Sequence, residues 1–338
     1  MTSPDTNSRS RTMSIGGATY DLFVQVDHET VTMPDGHDAF TLPLGSKVPV
    51  NGIVETCGGG ACNTSVGLSR LGCNASFEGI VGSDQWGERL LETMRNEGAD
   101  VRYATIVEGE ISSFSLILLA KNGERVILYE PGTNEHLQRS NFDLDIASQM
   151  DWVYLNHIQE QSTEIQDDIV QILARDESPR FTWNPGGYQI TEGIDSAINL
   201  RLLKYTDILL LNDEEALKFA RTDSVDQALR ILRKTGAKTV CVTEGKNGVT
   251  ATDGTNRYHC PVLPETKVID TTGAGDAFGT GLTWALLRSM DFPIALKAGT
   301  ISAASVVGTI GAQQGLLTET QMMDSLKNID LPVDVRPL

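Results

Sequence analysis

The chain has 338 residues, 40% of them hydrophobic and 21% charged, which is the composition of a folded globular protein. Its 45 acidic residues exceed its 27 basic ones, and the net charge of −18 argues against nucleic acid or an anionic membrane as a partner. No apolar run is long enough to span a bilayer, and the start of the chain lacks a signal-peptide core. Five cysteines without a C-x-x-C pair favour reduced thiols, so we expect a cytoplasmic protein.

The beginning of the chain is polar and then changes to short extended segments. Residues 1–12 predict a disordered tail, so the folded domain is expected to span residues 13–330. Residues 14–17 predict a short buried strand. Residues 39–57 predict extended segments that prolines and glycines interrupt.

A strand–helix alternation follows. Helices are predicted at residues 62–71 and 86–96, with a strand at 75–80 between them. The apolar runs 114–119 and 126–129 flank an Asn-Gly dipeptide, which is typical of a β-hairpin.

Four short apolar runs then recur between helical stretches. They are residues 152–155, 181–183, 208–211 and 239–242. Continuous apolar runs joined by helices predict the central strands of a parallel sheet that is covered on both faces. The segments around 18–57 and 112–130 interrupt this alternation, so we expect them to form a small β appendage on one core domain.

The segment Asp270–Phe278, with the sequence DTTGAGDAF, precedes a predicted helix at about 275–289. Its small residues let the backbone turn tightly, and the helix N-terminus adds partial positive charge. Such a turn can hold the charge on a phosphoryl group in transfer, and Asp276 beside it can take the proton of an attacking hydroxyl. A plain glycine turn with Asp276 as a helix-capping acid explains the spacing equally well.

The same segment resembles the C-terminal signature of the ribokinase/PfkB family of carbohydrate kinases, and the resemblance extends over residues 13–317. It implies a three-layer α/β/α sandwich with a mostly parallel central sheet and a small β-sheet lid. It also implies transfer of the γ-phosphate of ATP to a hydroxyl of a small sugar. Asp276 would be the general base, and the amides of Gly273, Ala274, Gly275 and Asp276 would form the anion hole.

An N-terminal signature, GGGACNTS at residues 58–65, also matches that family. A glycine triplet alone is more often a plain turn, but here a second signature accompanies it. By similarity, Gly59, Gly60 and Asn63 line the acceptor sugar. Asp21 matches the family's acid that binds substrate hydroxyls, since one carboxylate can accept two vicinal hydroxyl groups.

Further positions follow the predicted central strands. Asn212 and Glu215 match an N-x-x-E motif, and the resemblance implies that they hold Mg²⁺ through water. A helix N-cap at Asn212 is the structural alternative. By the same similarity Thr243 and Gly245 would approach the phosphates of ATP, and Asn184 lies on another turn of this region.

The resemblance also raises a potassium site, which several family members hold and to which Asp270 and Thr272 would contribute here. It leaves the acceptor open. A nucleoside kinase is the main alternative to a sugar kinase, and a non-catalytic sugar-sensing protein is another. A nucleoside base would need an aromatic slot, and a phosphosugar would need Arg or Lys. The candidates for these roles are Tyr20, Phe40, Phe114 and Tyr129 for the slot, and Lys47 and Arg125 for the phosphate.

A small sheet that stands off a core has free edges, which other chains can pair with or cover. Apolar residues recur at spacings of two within the lid segments, and this pattern predicts one apolar face. These residues are Leu42, Leu44, Val48, Val50, Leu116 and Leu118. We therefore expect a homodimer through the lid, with closure over the substrate as the alternative use of that face.

Overall fold

The computed structural model describes residues 9–27, 31–33, 38–120, 125–139 and 142–338. The strands are β1 (Arg11–Ile15), β2 (Thr19–Val26), β3 (Val31–Thr32), β4 (Asp38–Ala39), β5 (Val50–Gly58), β6 (Asn74–Glu78), β7 (Ile80–Gly82), β8 (Thr105–Val107), β9 (Phe114–Leu119), β10 (Arg125–Glu130), β11 (Trp152–Leu155), β12 (Arg180–Trp183), β13 (Ile208–Asn212), β14 (Val240–Thr243), β15 (Val249–Thr252), β16 (Asn256–Cys260) and β17 (Asp334–Pro337). The α-helices are α1 (Gly60–Arg70), α2 (Gln85–Asn96), α3 (Leu144–Ser148), α4 (Ile165–Leu173), α5 (Gly187–Glu192), α6 (Ala197–Leu203), α7 (Asp213–Ala220), α8 (Val225–Thr235), α9 (Ala274–Leu287), α10 (Phe292–Val307) and α11 (Glu319–Asn328).

The central sheet has nine strands within these residues, in the order β17-β16-β15-β14-β13-β12-β11-β1-β6. The strands from β6 to β14 in this order are parallel, and β15, β16 and β17 add to one side as antiparallel strands. The four apolar runs form β11 to β14 at its centre. The predicted mostly parallel sheet is therefore confirmed.

Helices cover both faces of this sheet. Successive residues of a strand point to opposite faces, and in β13 they enter two different cores. Ile208 and Leu210 pack in the cluster that includes α9 and α10, whereas Leu209 and Leu211 pack in the cluster that includes α4, α7 and α8. All four side chains are at most 2% exposed. This confirms the three-layer α/β/α arrangement.

A second sheet of four strands, in the order β10-β9-β2-β5, forms the predicted small lid. Strand β2 is antiparallel to β5 and parallel to β9, and β9 pairs with β10 as an antiparallel hairpin. The Asn-Gly turn expected between these two strands lies in residues 121–124, outside the described residues. An aromatic stack of Tyr20, Trp86 and Phe114 packs the base of the lid against α2, with ring centroids 4.8 and 5.0 Å apart.

The predicted tail, residues 1–12, reaches too far into the chain. Strand β1 begins at Arg11, and Thr12 is only 1% exposed because β6 and β11 flank it. The polar composition of residues 1–12 predicts a tail. In the structure, however, Thr12 lies in a strand of the central sheet, whose coverage by helices buries polar side chains as well as apolar ones. Residues 1–8 lie outside the described part of the chain.

The apolar alternation predicted for the lid is also wrong in detail. Leu42, Leu44 and Val48 lie in a loop without strand pairing, and Leu44 is 99% exposed. Leu116 and Leu118 are half-buried in the interior strand β9. The other exposed apolar residues of the lid, Val50 among them, lie on the edge strands β5 and β10. Among the helices that the structure describes, none combines the length and the apolar character needed to cross a bilayer.

Candidate active site

The glycine triplet marks the point where the lid joins the core. Strand β5 ends at Gly58 and helix α1 begins at Gly60, with Gly59 between them at a φ of +88°. A Cβ at Gly58 would collide with Oδ2 of Asp21, and a Cβ at Gly59 would lie 2.6 Å from the carbonyl oxygen of Gly17. Both positions therefore require glycine, because the backbone passes too close to the Asp21 carboxylate at Gly58 and to the Gly17 backbone at Gly59 to leave room for a side chain.

Asp21 lies on β2 at this junction and is 8% exposed. Burial is the main reason that the pKa of Asp21 is raised to about 6, and the nearby Asp270 acts in the same direction. A hydrogen bond from Ser115, which is its cross-strand neighbour on β9, opposes this rise. The carboxylate has unused acceptor capacity, which suits it to bind hydroxyl groups.

Asp276 and Asn63, which lie 213 positions apart in the sequence, meet across the site. The Nδ2 atom of Asn63 donates to Oδ2 of Asp276 at 2.8 Å. Asp276 is partly solvent-accessible but lies deep in the protein, and this desolvation raises the pKa of its carboxyl group. The Asn63 amide and His157 oppose the rise. A basic carboxylate that solvent can still reach is chemically suited to take a proton.

The segment predicted to form the anion hole lies at the start of α9, a 14-residue helix. Gly273 is its N-cap with a φ of +75°, and a Cβ there would collide with Ala312. The amide of Ala274 donates to the carbonyl oxygen of Thr271 at 3.3 Å. The amides of Gly275 and Asp276 occupy first-turn positions that have no acceptor within the helix. Since a Cβ on Gly275 would meet no atom within 4 Å, this end of the helix is open to a ligand.

Asp270 is the most heavily hydrogen-bonded carboxylate of the site. Its Oδ1 accepts from Nη1 of Arg125 at 2.7 Å and from the Thr272 amide and hydroxyl at 3.0 and 2.7 Å. Its Oδ2 accepts from the Gly311 amide at 3.0 Å. Burial disfavours ionisation, but these bonds outweigh it and hold the pKa of Asp270 below its usual range. With a guanidinium on this carboxylate, the arrangement does not fit a potassium ion bound by Asp270.

Asn212 and Glu215 form a reciprocal helix cap at the start of α7. Oδ1 of Asn212 accepts from the Glu215 amide at 2.8 Å, and Oε2 of Glu215 accepts from the Asn212 amide at 2.9 Å. The capping alternative is therefore present in the structure. The bonds of the described residues leave the second carboxylate oxygen of Glu215 free, which fits Mg²⁺ held through water. No cluster of three or more His, Cys, Asp or Glu suited to a metal occurs in the part of the chain that the structure describes.

The other predicted nucleotide residues follow neighbouring strands at the same sheet edge. Thr243 ends β14 and is the cross-strand partner of Asn212. Gly245 has a φ of +52°, and a Cβ there would meet no atom within 4 Å. Asn184 follows β12, but it is 8% exposed and its amide donates to the Leu210 carbonyl at 2.9 Å. The side-chain NH₂ group of Asn184 is therefore bonded to the backbone of β13.

Residues 31–319 match the family described as pfkB family carbohydrate kinase. The chain belongs to this family. It is 31% identical over 252 residues to an uncharacterized sugar kinase of Archaeoglobus fulgidus, a match that covers 74% of this chain and 98% of the relative. It is 28% identical over 280 residues to a ribokinase of Haemophilus influenzae, covering 80% and 87% of the two chains.

Solved structures show the same fold. A ribokinase of Arabidopsis thaliana complexed with ribose and ATP has a TM-score of 0.78 at 21% identity, covering 95% of this chain and 100% of its own. A nucleoside kinase of Burkholderia thailandensis in complex with inosine has a TM-score of 0.74 at 19% identity, covering 94% and 97%. The protein is thus a ribokinase-like carbohydrate or nucleoside kinase, a phosphotransferase whose acceptor group is a hydroxyl.

Several residues that contact the candidate site could not be found from the sequence. Ser115 contacts Asp21 only through the pairing of β2 with β9. His157 acts on Asp276 from the end of β11, and Gln313 bonds to Asn63 from a loop 250 positions away. None of these residues stands in a motif, so only their positions in the fold reveal them.

The raised pKa of Asp21 predicts how the stability of the protein depends on pH. The pKa of Asp21 rises from 3.8 to about 6 in the folded protein, so keeping the carboxyl group ionised at pH 8 costs about 3 kcal/mol. The folded state binds more protons than the unfolded one between these two values, and stability falls as pH rises through that window. We expect Asp21→Asn to raise the free energy of unfolding at pH 8, and to raise it by about half as much at pH 5. Denaturant unfolding at both pH values measures this. An equal effect at both would contradict a raised pKa.

Proposed function

We propose that the protein transfers the γ-phosphate of ATP to a hydroxyl of a small sugar, with Asp276 as the general base. The observation that carries this proposal is the position of the Asp276 carboxylate. It lies in the first turn of α9, where the open amide end of the helix can hold phosphoryl charge, and it accepts a hydrogen bond from Asn63. Proton acceptor and anion site are thus adjacent on one helix end.

In this mechanism Asp21, with Asn63 beside it, orients the acceptor by hydrogen bonds to its hydroxyl groups. Asp276 takes the proton from the hydroxyl that attacks, and the amides of Gly275 and Asp276 stabilise the negative charge on the phosphoryl group. The lid covers the acceptor and excludes water, which would otherwise compete as a nucleophile. Mg²⁺, when bound, supplies positive charge to the phosphates of ATP, with Glu215 and Asn212 as its holders.

The decisive experiment is an ATP-consumption screen over sugars, nucleosides and sugar phosphates, followed by Asp276→Asn with the best acceptor. The asparagine keeps the shape of the side chain but cannot take the proton. We expect kcat to fall by about 10²–10⁴-fold with a small change in KM. Turnover near that of the wild type would rule out Asp276 as the base.

A nucleoside acceptor is the second candidate. One aromatic residue of the lid is placed to stack on the nucleobase of such an acceptor. Tyr20 and Phe114 stack on Trp86 at the lid face that packs against α2. Tyr129, in contrast, lies on the opposite lid face. It pairs with Ser115 across β10 and β9, and Ser115 pairs with Asp21 across β9 and β2, so Tyr129 shares the face that carries Asp21. It is 48% exposed and free to stack on a base. In the screen, a nucleoside preferred over sugars would select this candidate.

Glu215 provides a test that separates metal binding from helix capping. The amide oxygen of Glu215→Gln can still accept the Asn212 backbone N–H, so the cap survives while the charge is lost. We expect unchanged thermal stability and a several-fold higher Mg²⁺ concentration at half-maximal rate. Asp213→Asn, on the same helix turn, is the matched control. A Mg²⁺ dependence that equals that of the wild type would assign Glu215 to capping alone.

We also propose that two lids pack together in a homodimer. The edge strands of the lid are unusually apolar for an exposed surface, with Ile53 57% and Leu128 53% exposed. Light scattering at micromolar concentration should show about twice the 36.6 kDa chain mass. Leu128→Glu should yield the monomer, and Met323→Glu, exposed on α11, should not. A wild type at the chain mass would exclude the dimer.

A further inference from the structure

Asn63 contacts Asp276 through one end of its side-chain amide, and the other end is held from the opposite side. Nε2 of Gln313 donates to Oδ1 of Asn63 at 3.1 Å and also lies 3.1 Å from the Cys62 sulfur. Asn63 and Gln313 are only 4% and 8% exposed, so water competes little for these bonds. The bonds therefore form a chain from Gln313 through Asn63 to the proposed base.

The direction of these bonds matters for chemistry. An asparagine amide presents an oxygen at one end and an NH₂ group at the other, and either end can face a neighbour. Because Gln313 donates to the oxygen, the NH₂ group is directed at Asp276. Were the amide reversed, its oxygen would face the carboxylate and repel it.

Gln313 is itself anchored. The backbone carbonyl oxygen of Gln313 accepts from Nη1 of Arg70 at 2.8 Å. The same Nη1 atom also donates to the backbone carbonyl of Leu316 at 2.9 Å. The guanidinium of Arg70 makes two further bonds, of 2.7 and 2.8 Å, to the carboxylate of Glu97, which follows α2. A bidentate pair of this kind fixes geometry well. The backbone at Gln313 is thus held independently of its contact with Asn63.

From this geometry we infer that Gln313 is a positioning residue for the general base: it fixes the orientation of the Asn63 amide so that Asn63 donates to Asp276. This inference rests on the proposed function. Gln313 touches neither acceptor nor ATP in this scheme, and acts only through Asn63. Its effect is to favour the ionised, proton-accepting form of Asp276 against the cost of desolvation.

The test replaces the donor and keeps the volume. Gln313→Met has nearly the same shape but cannot donate to Asn63. We expect kcat to fall about 10-fold, the worth of one hydrogen bond to a charged group, with the KM for ATP unchanged. Gln314→Met is the matched control, because Gln314 is the exposed neighbour and makes no side-chain hydrogen bond within the described residues. A control that lost as much activity as Gln313→Met would overturn the inference.

A double-mutant cycle isolates the route through Asn63. In an Asn63→Ala background there is no amide left to orient, so Gln313→Met should change kcat by less than about 2-fold. A loss as large as in the wild-type background would show that Gln313 acts by another route. If Gln313→Met does not fold, Gln313→Glu takes its place. That carboxylate can only accept, so it favours the reversed Asn63 amide, and we expect a larger loss of kcat.

The pKa of Asp276 gives a readout that does not depend on turnover. Besides Asn63, the groups that face Asp276 are His157, Tyr154 and Cys62, and Gln313→Met replaces none of them. It does remove the Nε2 contact to Cys62, but burial raises the pKa of that thiol and keeps it uncharged. In ¹³C-aspartate-labelled protein, with the Asp276 signal assigned by Asp276→Asn, the titration should move to higher pH in Gln313→Met and not in Gln314→Met. An unchanged titration would overturn this inference. Absence of phosphotransfer by the wild type would instead refute the proposed function.

Discussion

The structure depends on a crossing of two chain segments at which no side chain fits. Strand β5 leaves the lid and α1 enters the core through Gly58, Gly59 and Gly60. A Cβ at these positions would collide with the Asp21 carboxylate, the Gly17–Ala18 backbone and the Asn156 side chain, respectively. The Gly17 carbonyl accepts the amides of Ala61 and Cys62 at 3.2 and 3.4 Å. This crossing sets the lid on the core, and it places Asp21 of the lid beside the first turn of the helix that carries Asn63.

Three aspartates lie near this crossing, and their surroundings give them different chemistry. Asp21 and Asp276 have few donors and are desolvated, so their pKa values are raised. Asp270 is as buried as Asp21 by exposed area, yet four donors lower its pKa. A carboxylate with saturated oxygens holds a structure together, while one with free oxygens can bind hydroxyls or take protons. The ion pair of Asp270 with Arg125 accordingly joins the lid to the loop before α9.

Much of this arrangement could be predicted from sequence because its signals are local. The four central strands are continuous apolar runs, and burial on both faces requires that pattern. The segments GGGACNTS and DTTGAGDAF each encode a turn into a helix, which residue type alone determines. The boundary of the tail and the apolar face of the lid could not be predicted in the same way. Thr12 is polar yet buried, and Leu42 and Leu44 alternate without forming a strand.

By itself, the sequence determined the layer architecture, the family and the two motifs that contribute Asn63 and Asp276, because these follow from short-range patterns of residue type. Only the tertiary structure decided what each side chain bonds to. In it the Asn63 amide donates to Asp276, the Arg125 guanidinium donates to Asp270, and the Gln313 side-chain amide donates to Asn63. These contacts join residues that are 145 to 250 positions apart. Their pairing depends on how the sheets and helices pack, and no local pattern of residues carries that information.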